Sequence, residues 1–409
     1  MIFIKRKFVL VPAFLFIIIF SYLFLKNKII KSDIKFINNI YFELPFLISN
    51  KKECKNIDLL LSKHFDNSYS ATIIDSDGFI IGTLNEDVLR IPASNVKLFS
   101  TAYVIHNVNP TDTLYTSLYN DKSNSYYIVG SGDPDLSWND IKRLINQLNI
   151  KNDIKINLVE VNDNFYWPTG WTYSDKNLPY GAPITMLALN SNQNINNDIY
   201  FLQKKIEEYL TANFPYQNIE VSILAYEKFR PKNLNLIASI PSNTLLSLIT
   251  LANAISHNFT AEILYKNISN SWGTNNYNVL EKWLINKGLP FLDSNISDAS
   301  GLSRDNRINT NLMALFLYKI QYSNKFDLFN SSLSIMGLRG TLSDKLNESK
   351  LSGLFFGKTG TLSNSFALSG YLYKNDKPLI ISIIQNSENI DRNNVFNFLI
   401  DLYEFESCS

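Results

Sequence analysis

The sequence predicts an α+β fold in which one antiparallel sheet, flanked by helices, is assembled from both ends of the chain. Four β-rich segments support this fold: residues 70–74, 79–84, 365–373 and 379–385. Two strands at either end are too few for a stable sheet, so we expect all four to share one. A short helix at residues 57–64 and an apolar stripe at residues 395–403 predict the flanking terminal helices.

The middle of the chain has a different pattern. From about residue 113 to residue 238, short β-rich segments alternate with loops that are marked by Gly and Pro. We therefore predict an inserted, mainly β domain at residues 113–238. The main domain would then be discontinuous, with one part at residues 56–112 and the other at residues 239–409.

Residues 1–33 predict a membrane-targeting segment. Basic residues at positions 5–7 precede an uncharged run at residues 8–25, which reaches the lower limit for a membrane-spanning helix. A cleaved signal and an uncleaved anchor both fit, and the length of the run favours the anchor. Basic residues on both flanks leave the orientation open. A polar linker at residues 34–55 would follow.

The composition argues against several classes of protein. Hydrophobic residues make up 45% of the chain and aromatic residues 13%, which is typical of a globular protein. With 38 basic and 37 acidic residues the net charge is +1, so no nucleic-acid partner is expected. The three histidines are far apart, and no metal-ligand cluster or nucleotide-binding motif is found, so we expect no metal and no cofactor.

The chain has two cysteines, Cys54 and Cys408, on either side of the predicted fold. They are compatible with two unrelated thiols. They are equally compatible with a disulfide that ties the chain ends together in an oxidising compartment.

Ser94 and Lys97 are the first candidates for chemistry. They are three positions apart at the start of an apolar helix predicted to run to His106, so their Cβ atoms lie about 5–6 Å apart on one face. A serine hydroxyl becomes nucleophilic when a nearby base takes its proton. A lysine is such a base only when burial or a neighbouring cation lowers its pKa. By itself this spacing is weak evidence and is better explained by an ordinary surface helix, because Ser and Lys are common residues.

Two further motifs give the pair a context. Ser256 and Asn258 lie in a loop between two predicted helices, where polar side chains can point into a cleft. Residues 358–361 lie on a predicted strand, where a glycine permits close approach of a substrate backbone and the Lys and Thr side chains can hold a carboxylate. The candidate site residues are Ser94, Lys97, Ser256, Asn258, Lys358, Thr359, Gly360 and Thr361. The motifs S-x-x-K, S-x-N and K-T-G in this order are the signature of penicillin-binding proteins and class A β-lactamases.

With these motifs, the chain resembles the D-alanyl-D-alanine carboxypeptidase/endopeptidase family, the low-molecular-mass class C penicillin-binding proteins, from about residue 56 to residue 405. Residues 130–136, 180–183 and, most distinctively, 297–307 add to the resemblance. It implies a penicillin-binding/β-lactamase-like transpeptidase domain for the discontinuous main domain. Residue types alone give residues 297–307 no chemistry, and we expect them to form a turn beside the cleft.

The resemblance also implies a function. The protein would be a serine-type D-Ala-D-Ala carboxypeptidase that acts on peptidoglycan stem peptides outside the cytoplasm and is acylated by β-lactams. Endopeptidase cleavage of cross-links uses the same site, and the sequence does not separate the two activities. Ser94 would be the nucleophile and Lys97 its base, with repulsion from Lys358 helping to keep Lys97 neutral. Ser256 would relay a proton to the leaving amine.

The remaining site residues would bind the substrate. Asn258 would hold the substrate amide, and Lys358, Thr359 and Thr361 would bind the terminal carboxylate. Backbone N–H groups of Ser94 and Thr361 would form the oxyanion hole.

The chain also departs from the family pattern. The gap between Lys97 and Ser256 is shorter than is usual, so an inserted module is expected to be reduced or absent, which bears on substrate preference. His257, in the middle of the second motif, is expected to pack away from the cleft.

Two other functions share these motifs. A class A β-lactamase uses an additional glutamate for deacylation, and the one similar string, at residues 281–286, is better explained by an amphipathic helix. A non-catalytic cell-wall-binding protein of the same fold is the second alternative.

Overall fold

The computed structural model describes residues 51–405, apart from residues 122, 124, 195–197, 231–232 and 292. The predicted membrane segment at residues 1–33, most of the predicted linker and Cys408 lie outside these residues. Among the residues that are described, no helix is both long and apolar enough to cross a bilayer. Cys54 is buried and is not a free thiol, while its pairing with Cys408 stays a prediction.

The elements of the described chain form two sheets with their surrounding helices. The strands are β1 (Tyr69–Ile74), β2 (Ile80–Leu84), β3 (Thr113–Asn120), β4 (Ser125–Val129), β5 (Ile154–Glu160), β6 (Ile219–Ala225), β7 (Asn235–Thr244), β8 (Ser334–Ile335), β9 (Phe355–Leu362), β10 (Ser365–Lys374) and β11 (Lys377–Asn386). The α-helices are α1 (Lys55–His64), α2 (Val96–Asn107), α3 (Trp138–Ile145), α4 (Tyr173–Lys176), α5 (Ile199–Asn213), α6 (Leu245–Ala254), α7 (Asn258–Ile268), α8 (Asn278–Asn286), α9 (Thr310–Ile320), α10 (Phe326–Ser332) and α11 (Arg392–Glu404). Short 3-10 turns lie at Ala93–Asn95, Asp163–Phe165, Pro179–Gly181, Leu189–Asn192, Tyr226–Lys228 and Gly340–Leu342.

The first sheet has six antiparallel strands in the order β2-β1-β11-β10-β9-β8. Its centre is the pairing of β1 with β11, in which Ile73 lies opposite Ile381. The hairpins β1-β2 and β10-β11 were both indicated by the sequence. The prediction that both chain ends build one sheet is confirmed.

This sheet is buried on both faces, because alternate residues along a strand point to opposite sides. On β11, Ile380 and Ile384 belong to the cluster that includes the apolar residues of α2, α6, α7 and α9. Ile381 and Ile383 belong to a second cluster with the terminal helices α1 and α11. The Asp391 side chain fixes the start of α11 by accepting hydrogen bonds from the second and third backbone N–H groups that follow it.

The second sheet has five strands in the order β6-β5-β4-β3-β7 and comes from the middle of the chain. β3 pairs antiparallel with β4 and β7, whereas β4-β5 and β5-β6 are parallel. Parallel neighbours need a crossover connection, and α3 and α5 provide these crossovers. Their apolar residues share a core with the sheet. The sequence predicted short strands in this region but not these two helices, and β7 continues past the expected border at residue 238.

Candidate active site

Ser94 lies on a tight turn immediately before α2. It is the middle residue of the 3-10 turn Ala93–Asn95, and Ala93 adopts a left-handed backbone with φ of 47°. The buried Asn95 side chain ties this turn to β10 through Ser369 Oγ, at 2.8 Å. The nucleophile candidate is therefore fixed to the first sheet rather than to the helix alone.

Two glycines allow other segments to close on this turn. Gly301 has φ of 81°, and a Cβ atom there would overlap the Ala93 carbonyl. Gly360 on β9 faces the turn from the other side, where a Cβ atom would lie 2.9 Å from Ser94 N. Larger residues at either position would push the nucleophile away.

Lys97 is fully buried one helical turn after Ser94. Its Nζ donates to Ser94 Oγ at 3.0 Å, to Asn258 Oδ1 at 2.6 Å and to the Ser300 carbonyl at 2.5 Å. The three donors of the ammonium group are thus all used. The first and second sequence motifs meet at this side chain.

Burial lowers the pKa of Lys97 to about 7, against an ordinary value of 10.5. The carboxylates of Asp298 and Glu262 act in the opposite direction. Burial is one of the two causes that the sequence argument allowed, and it is the largest; Lys358, which was expected to help by repulsion, is not among the causes that act on Lys97. The charge of Lys97 instead adds to the burial that lowers the pKa of Lys358. A partly neutral amine at pH 7 is what a lysine base requires.

Ser256 and Asn258 reach the cleft from the short connection between α6 and α7. Ser256 has a left-handed backbone with φ of 65°, and its Oγ accepts a hydrogen bond of 2.8 Å from Lys358 Nζ. Asn258 is the first residue of α7, and its Nδ2 donates to the Tyr180 carbonyl at 3.0 Å. This second bond fixes the amide so that its oxygen faces Lys97.

The third motif lies on β9 at the side facing β8. β8 pairs only with Gly357 and Phe356, so within the described chain no strand pairs with residues 358–362 on that side. Lys358 is fully buried, and besides Ser256 it contacts the Thr359 carbonyl at 2.7 Å. The Thr359 hydroxyl is 2.7 Å from that of Thr341, whereas Thr361 lines the cleft.

These motifs surround a cleft of about 600 Å³. Its lining residues are Ser94, Ser174, Asp175, Tyr180, Ser256, Asn258, Gly301, Leu302, Arg304, Thr361, Leu362, Ser363 and Arg392. Ser94, Ser256, Asn258 and Thr361 were predicted from the sequence. Lys97, Lys358, Thr359 and Gly360 lie behind this surface, in contact with the residues that form it.

The segment at residues 297–307 forms the turn beside the cleft that we expected, and it also touches the predicted base. The Ser300 carbonyl accepts from Lys97, and the fully buried Asp298 carboxylate organises the turn by accepting from Gly301 N, Ser303 N and Trp171 Nε1. A backbone carbonyl has no sequence signature, so motif analysis missed this contact. The Ser-Asp-Ala-Ser-Gly string, which is rich in turn formers, was the available signal.

An ion pair on the cleft wall was also missed. Arg304 Nη1 lies 2.6 Å from Asp175 Oδ2, and Tyr180 OH donates to Asp175 Oδ1 at 3.1 Å. The Asp175 side chain is 5% exposed and that of Arg304 24%. Because the partners are 129 positions apart, no spacing pattern could have joined them.

The contacts of His257 and Glu281 indicate structural roles for both residues. The His257 ring contacts Gln193 at 3.0 Å and Thr260 Oγ1 at 2.6 Å, and burial lowers its pKa to about 4. Glu281 lies on α8 and accepts from Ile296 N at 3.1 Å. Neither residue is among those that line the cleft.

Solved structures of other proteins superimpose on this chain and have the same fold. Penicillin binding protein 4 of Haemophilus influenzae superimposes with a TM-score of 0.68 at 18% identity, over 85% of this chain and 98% of that one. A predatory peptidoglycan endopeptidase of Bdellovibrio bacteriovorus superimposes with a TM-score of 0.56 at 16% identity, over 82% and 92% of the two chains. The penicillin-binding fold predicted from the sequence is confirmed.

Sequence comparison identifies the family. The D-alanyl-D-alanine carboxypeptidase of Actinomadura sp. (strain R39) is 29% identical over 142 residues, which cover 32% of this chain and only 26% of that protein. A family model described as the D-Ala-D-Ala carboxypeptidase 3 (S13) family matches residues 66–200 and 199–403. The chain therefore belongs to the D-Ala-D-Ala carboxypeptidase 3 (S13) family, and the family resemblance found in the sequence is confirmed.

Proposed function

We propose that this protein is a serine-type D-Ala-D-Ala carboxypeptidase that acts on peptidoglycan stem peptides through an acyl-enzyme on Ser94. The observation that carries the proposal is the contact of 3.0 Å between Ser94 Oγ and the buried Lys97 Nζ, whose pKa is lowered to about 7. A hydroxyl beside a partly neutral amine in a cleft is an activated nucleophile. Family membership supplies the substrate class.

The first half-reaction forms the ester. Ser94 Oγ attacks the carbonyl carbon of the penultimate D-Ala, and its proton passes to Lys97 Nζ. The C–N bond then breaks, and the departing D-Ala nitrogen receives a proton through Ser256, which the hydrogen bond from Lys358 holds in place. Attack of water on the ester, with the same groups moving the protons, releases the shortened peptide and restores Ser94.

Substrate binding uses the unpaired side of β9 and the start of α7. The substrate peptide would lie along residues 358–362, with Gly360 allowing its backbone to approach. Asn258 would hold the substrate amide, and the N–H groups of Ser94 and Thr361 would stabilise the oxyanion. The terminal carboxylate would meet Thr361 at the cleft surface, with Lys358 and Thr359 directly behind it.

Labelling with a fluorescent penicillin tests the nucleophile. We expect covalent labelling of the wild type and none of Ser94→Ala. Ser174→Ala is the matched control, because Ser174 lines the same cleft and should be dispensable for labelling. Equal labelling of Ser94→Ala and the wild type would refute the assignment.

Mass spectrometry of purified muropeptides tests the reaction itself. We expect loss of the terminal D-Ala with wild type and not with Ser94→Ala. Endopeptidase action is included in the proposal, because cleavage of a cross-link passes through the same ester and a structural neighbour is described as a peptidoglycan endopeptidase. Cross-linked muropeptides that remain intact would exclude that second activity.

Peptidoglycan as substrate implies a location outside the cytoplasm. We include in the proposal that residues 8–25 anchor the protein to the plasma membrane. Fractionation of cells that express the full chain should place it with membranes. Recovery of the protein in the soluble extracytoplasmic fraction, shortened at its N-terminus, would show a cleaved signal instead.

A further inference from the structure

A buried carboxylate lies directly behind the predicted base. Glu262 is on α7, one turn after Asn258, and is fully buried. Its Oε1 accepts hydrogen bonds from Ala299 N at 2.9 Å and from Ser300 N at 2.8 Å. Its Oε2 accepts from Tyr277 OH at 2.8 Å. The mechanism above gives this residue no part.

The Ser300 residue connects this carboxylate to Lys97. The Ser300 N–H is held by Glu262, and the carbonyl of the same residue accepts the short hydrogen bond from Lys97 Nζ. The other fixed acceptor of Lys97, the Asn258 amide, lies on α7 four positions before Glu262, on the same helical face. One helix therefore controls two of the three acceptors around Lys97.

We propose that Glu262 is a positioning residue that holds the Ser300 carbonyl against Lys97 Nζ and supplies the negative charge that balances this ammonium group. The expected effect of Glu262 on reaction rate rests on the proposed function. The inference adds a residue outside the three motifs to those that set the position and the pKa of Lys97.

Several charged and titratable groups surround the pair. From α7, Lys266 acts on Glu262, and Tyr277 contacts it from the start of α8. Asp298, in the turn beside the cleft, acts on Glu262 and Lys97. The charge of Lys97 also lowers the pKa of two further groups, Lys358 on β9 and His257 before α7.

Burial raises the pKa of Glu262 to about 7, and the charge of Asp298 adds to this effect. Burial lowers the pKa of Lys97 to about 7, so the two groups titrate in the same range. Removal of the Glu262 charge takes away an anion that favours protonated Lys97. The pKa of Lys97 must then fall further, and Lys97 must remain a base at lower pH.

The test measures the rate of penicillin acylation against pH for wild type, Glu262→Gln and Glu262→Ala. Glutamine keeps an oxygen for the two N–H groups but loses the charge. We expect its rate at pH 8 to stay within about tenfold of wild type, while the acid limb of the pH profile moves down by about one unit. Alanine releases the Ser300 peptide, and we expect a fall of about 100-fold.

Glu160→Gln is the matched control. Glu160 is also a buried carboxylate held by backbone N–H groups, and burial raises its pKa to about 7 as well, but it lies at the end of β5. We expect Glu160→Gln to leave the acid limb in place. An unshifted acid limb in Glu262→Gln, together with a wild-type rate in folded Glu262→Ala, overturns the proposal.

A second measurement reads the proton on Lys97 without any reaction. The protein is labelled with lysine carrying 13C at Cε, and the Lys97 signal is assigned by its absence from Lys97→Met. We expect it to titrate at lower pH in Glu262→Gln than in wild type, and equal titration overturns the proposal. Failure of wild type to be acylated would refute the proposed function alone, because this titration still decides the role of Glu262.

Discussion

The two sheets differ in the charges that their interiors contain. Beside the six-stranded sheet, Lys97, Lys358, Glu262 and Asp298 are each 0% exposed; the charges of Glu262 and Asp298 act on Lys97, and the charge of Lys97 acts on Lys358. At the five-stranded sheet, Glu160 is 1% exposed, and its carboxylate accepts hydrogen bonds from three backbone N–H groups.

This difference separates buried charges that belong to the candidate active site from a buried charge that stabilises the fold. Burial of a charge costs free energy unless partners compensate for it. At Glu160, hydrogen bonds from backbone N–H groups compensate for burial of the carboxylate and fix a loop. This structural role explains why a glutamate is buried at this position. At the first sheet two lysines are buried side by side, an arrangement that costs free energy; the proposed mechanism explains it, because a base beside Ser94 needs an amine that burial keeps partly neutral.

Substitution of Lys97 gives the largest expected effect and tests this explanation directly. We expect Lys97→Met to lower the acylation rate about 10³-fold, because the base is lost. Its melting temperature should be unchanged or higher, since an apolar side chain replaces a buried charge of similar volume. Lys282→Met, at an exposed position of α8, should match wild type in both measurements. A destabilised Lys97→Met would mean that Lys97 is primarily structural.

A pair of core substitutions asks whether the two sheets unfold independently. Ile383→Ala in β11 and Ile156→Ala in β5 each remove a fully buried side chain, and each should cost about 2–4 kcal/mol of unfolding free energy. We propose that the five-stranded sheet forms a separate domain, which extends from residue 113 to the end of β7 at Thr244 rather than to residue 238. Calorimetry should then show two transitions, each lowered by one of the substitutions. One transition lowered by both would contradict the division.

Gly360→Ala tests how closely β9 must approach the nucleophile. The added Cβ would lie 2.8 Å from the Pro92 carbonyl and 2.9 Å from Ser94 N, so the turn must shift. We expect acylation to fall about 100-fold, because a small misplacement of a reacting group is costly. Gly273→Ala is the control, since there a Cβ meets only the movable Glu227 carboxylate at 3.0 Å. Wild-type acylation by Gly360→Ala would show that the cleft tolerates the shift.

The last prediction concerns the pH dependence of stability at the second sheet. Burial raises the pKa of Glu160 from 4.5 to about 7 in the folded state. The unfolded chain therefore loses its proton first, and the contribution of Glu160 to stability, complete below pH 4.5, is lost as pH rises towards 7. The unfolding free energy of wild type relative to Glu160→Gln should fall between pH 4.5 and pH 7. A constant difference would show that Glu160 ionises normally.

Local patterns predicted the first sheet better than the second. The hairpins β1-β2 and β10-β11 follow from β-rich segments on either side of short turns. Because two strands alone do not form a stable sheet, both hairpins were placed in one sheet. The parallel neighbours β4, β5 and β6 are separated by long crossovers, and apolar periodicity does not show which strands pair. For this reason the crossover helices α3 and α5 were missed.

The site was predictable where side chains carry the chemistry. Ser94, Ser256 and Lys358 follow from motifs, and the structure brings these three motifs together. Glu262 was not singled out, because a single acidic residue in a helix usually faces solvent. The signal was its setting in the mostly apolar segment Phe259–Tyr265 of α7. The Ser300 carbonyl and the Asp175–Arg304 pair depend on tertiary contacts that no local pattern contains.

The pairing of β1 with β11 has a consequence for the order in which the molecule is completed. β1 and β2 are synthesised early, but their partner strand ends at Asn386, about 300 residues later. Until then the N-terminal hairpin has no sheet to join, and an isolated hairpin is marginally stable in water. Ser94 likewise lacks Gly360 beside it, and Ser256 lacks its contact with Lys358. Under the proposed mechanism the serine is therefore inert during most of synthesis and gains its reactivity only when the last hairpin docks.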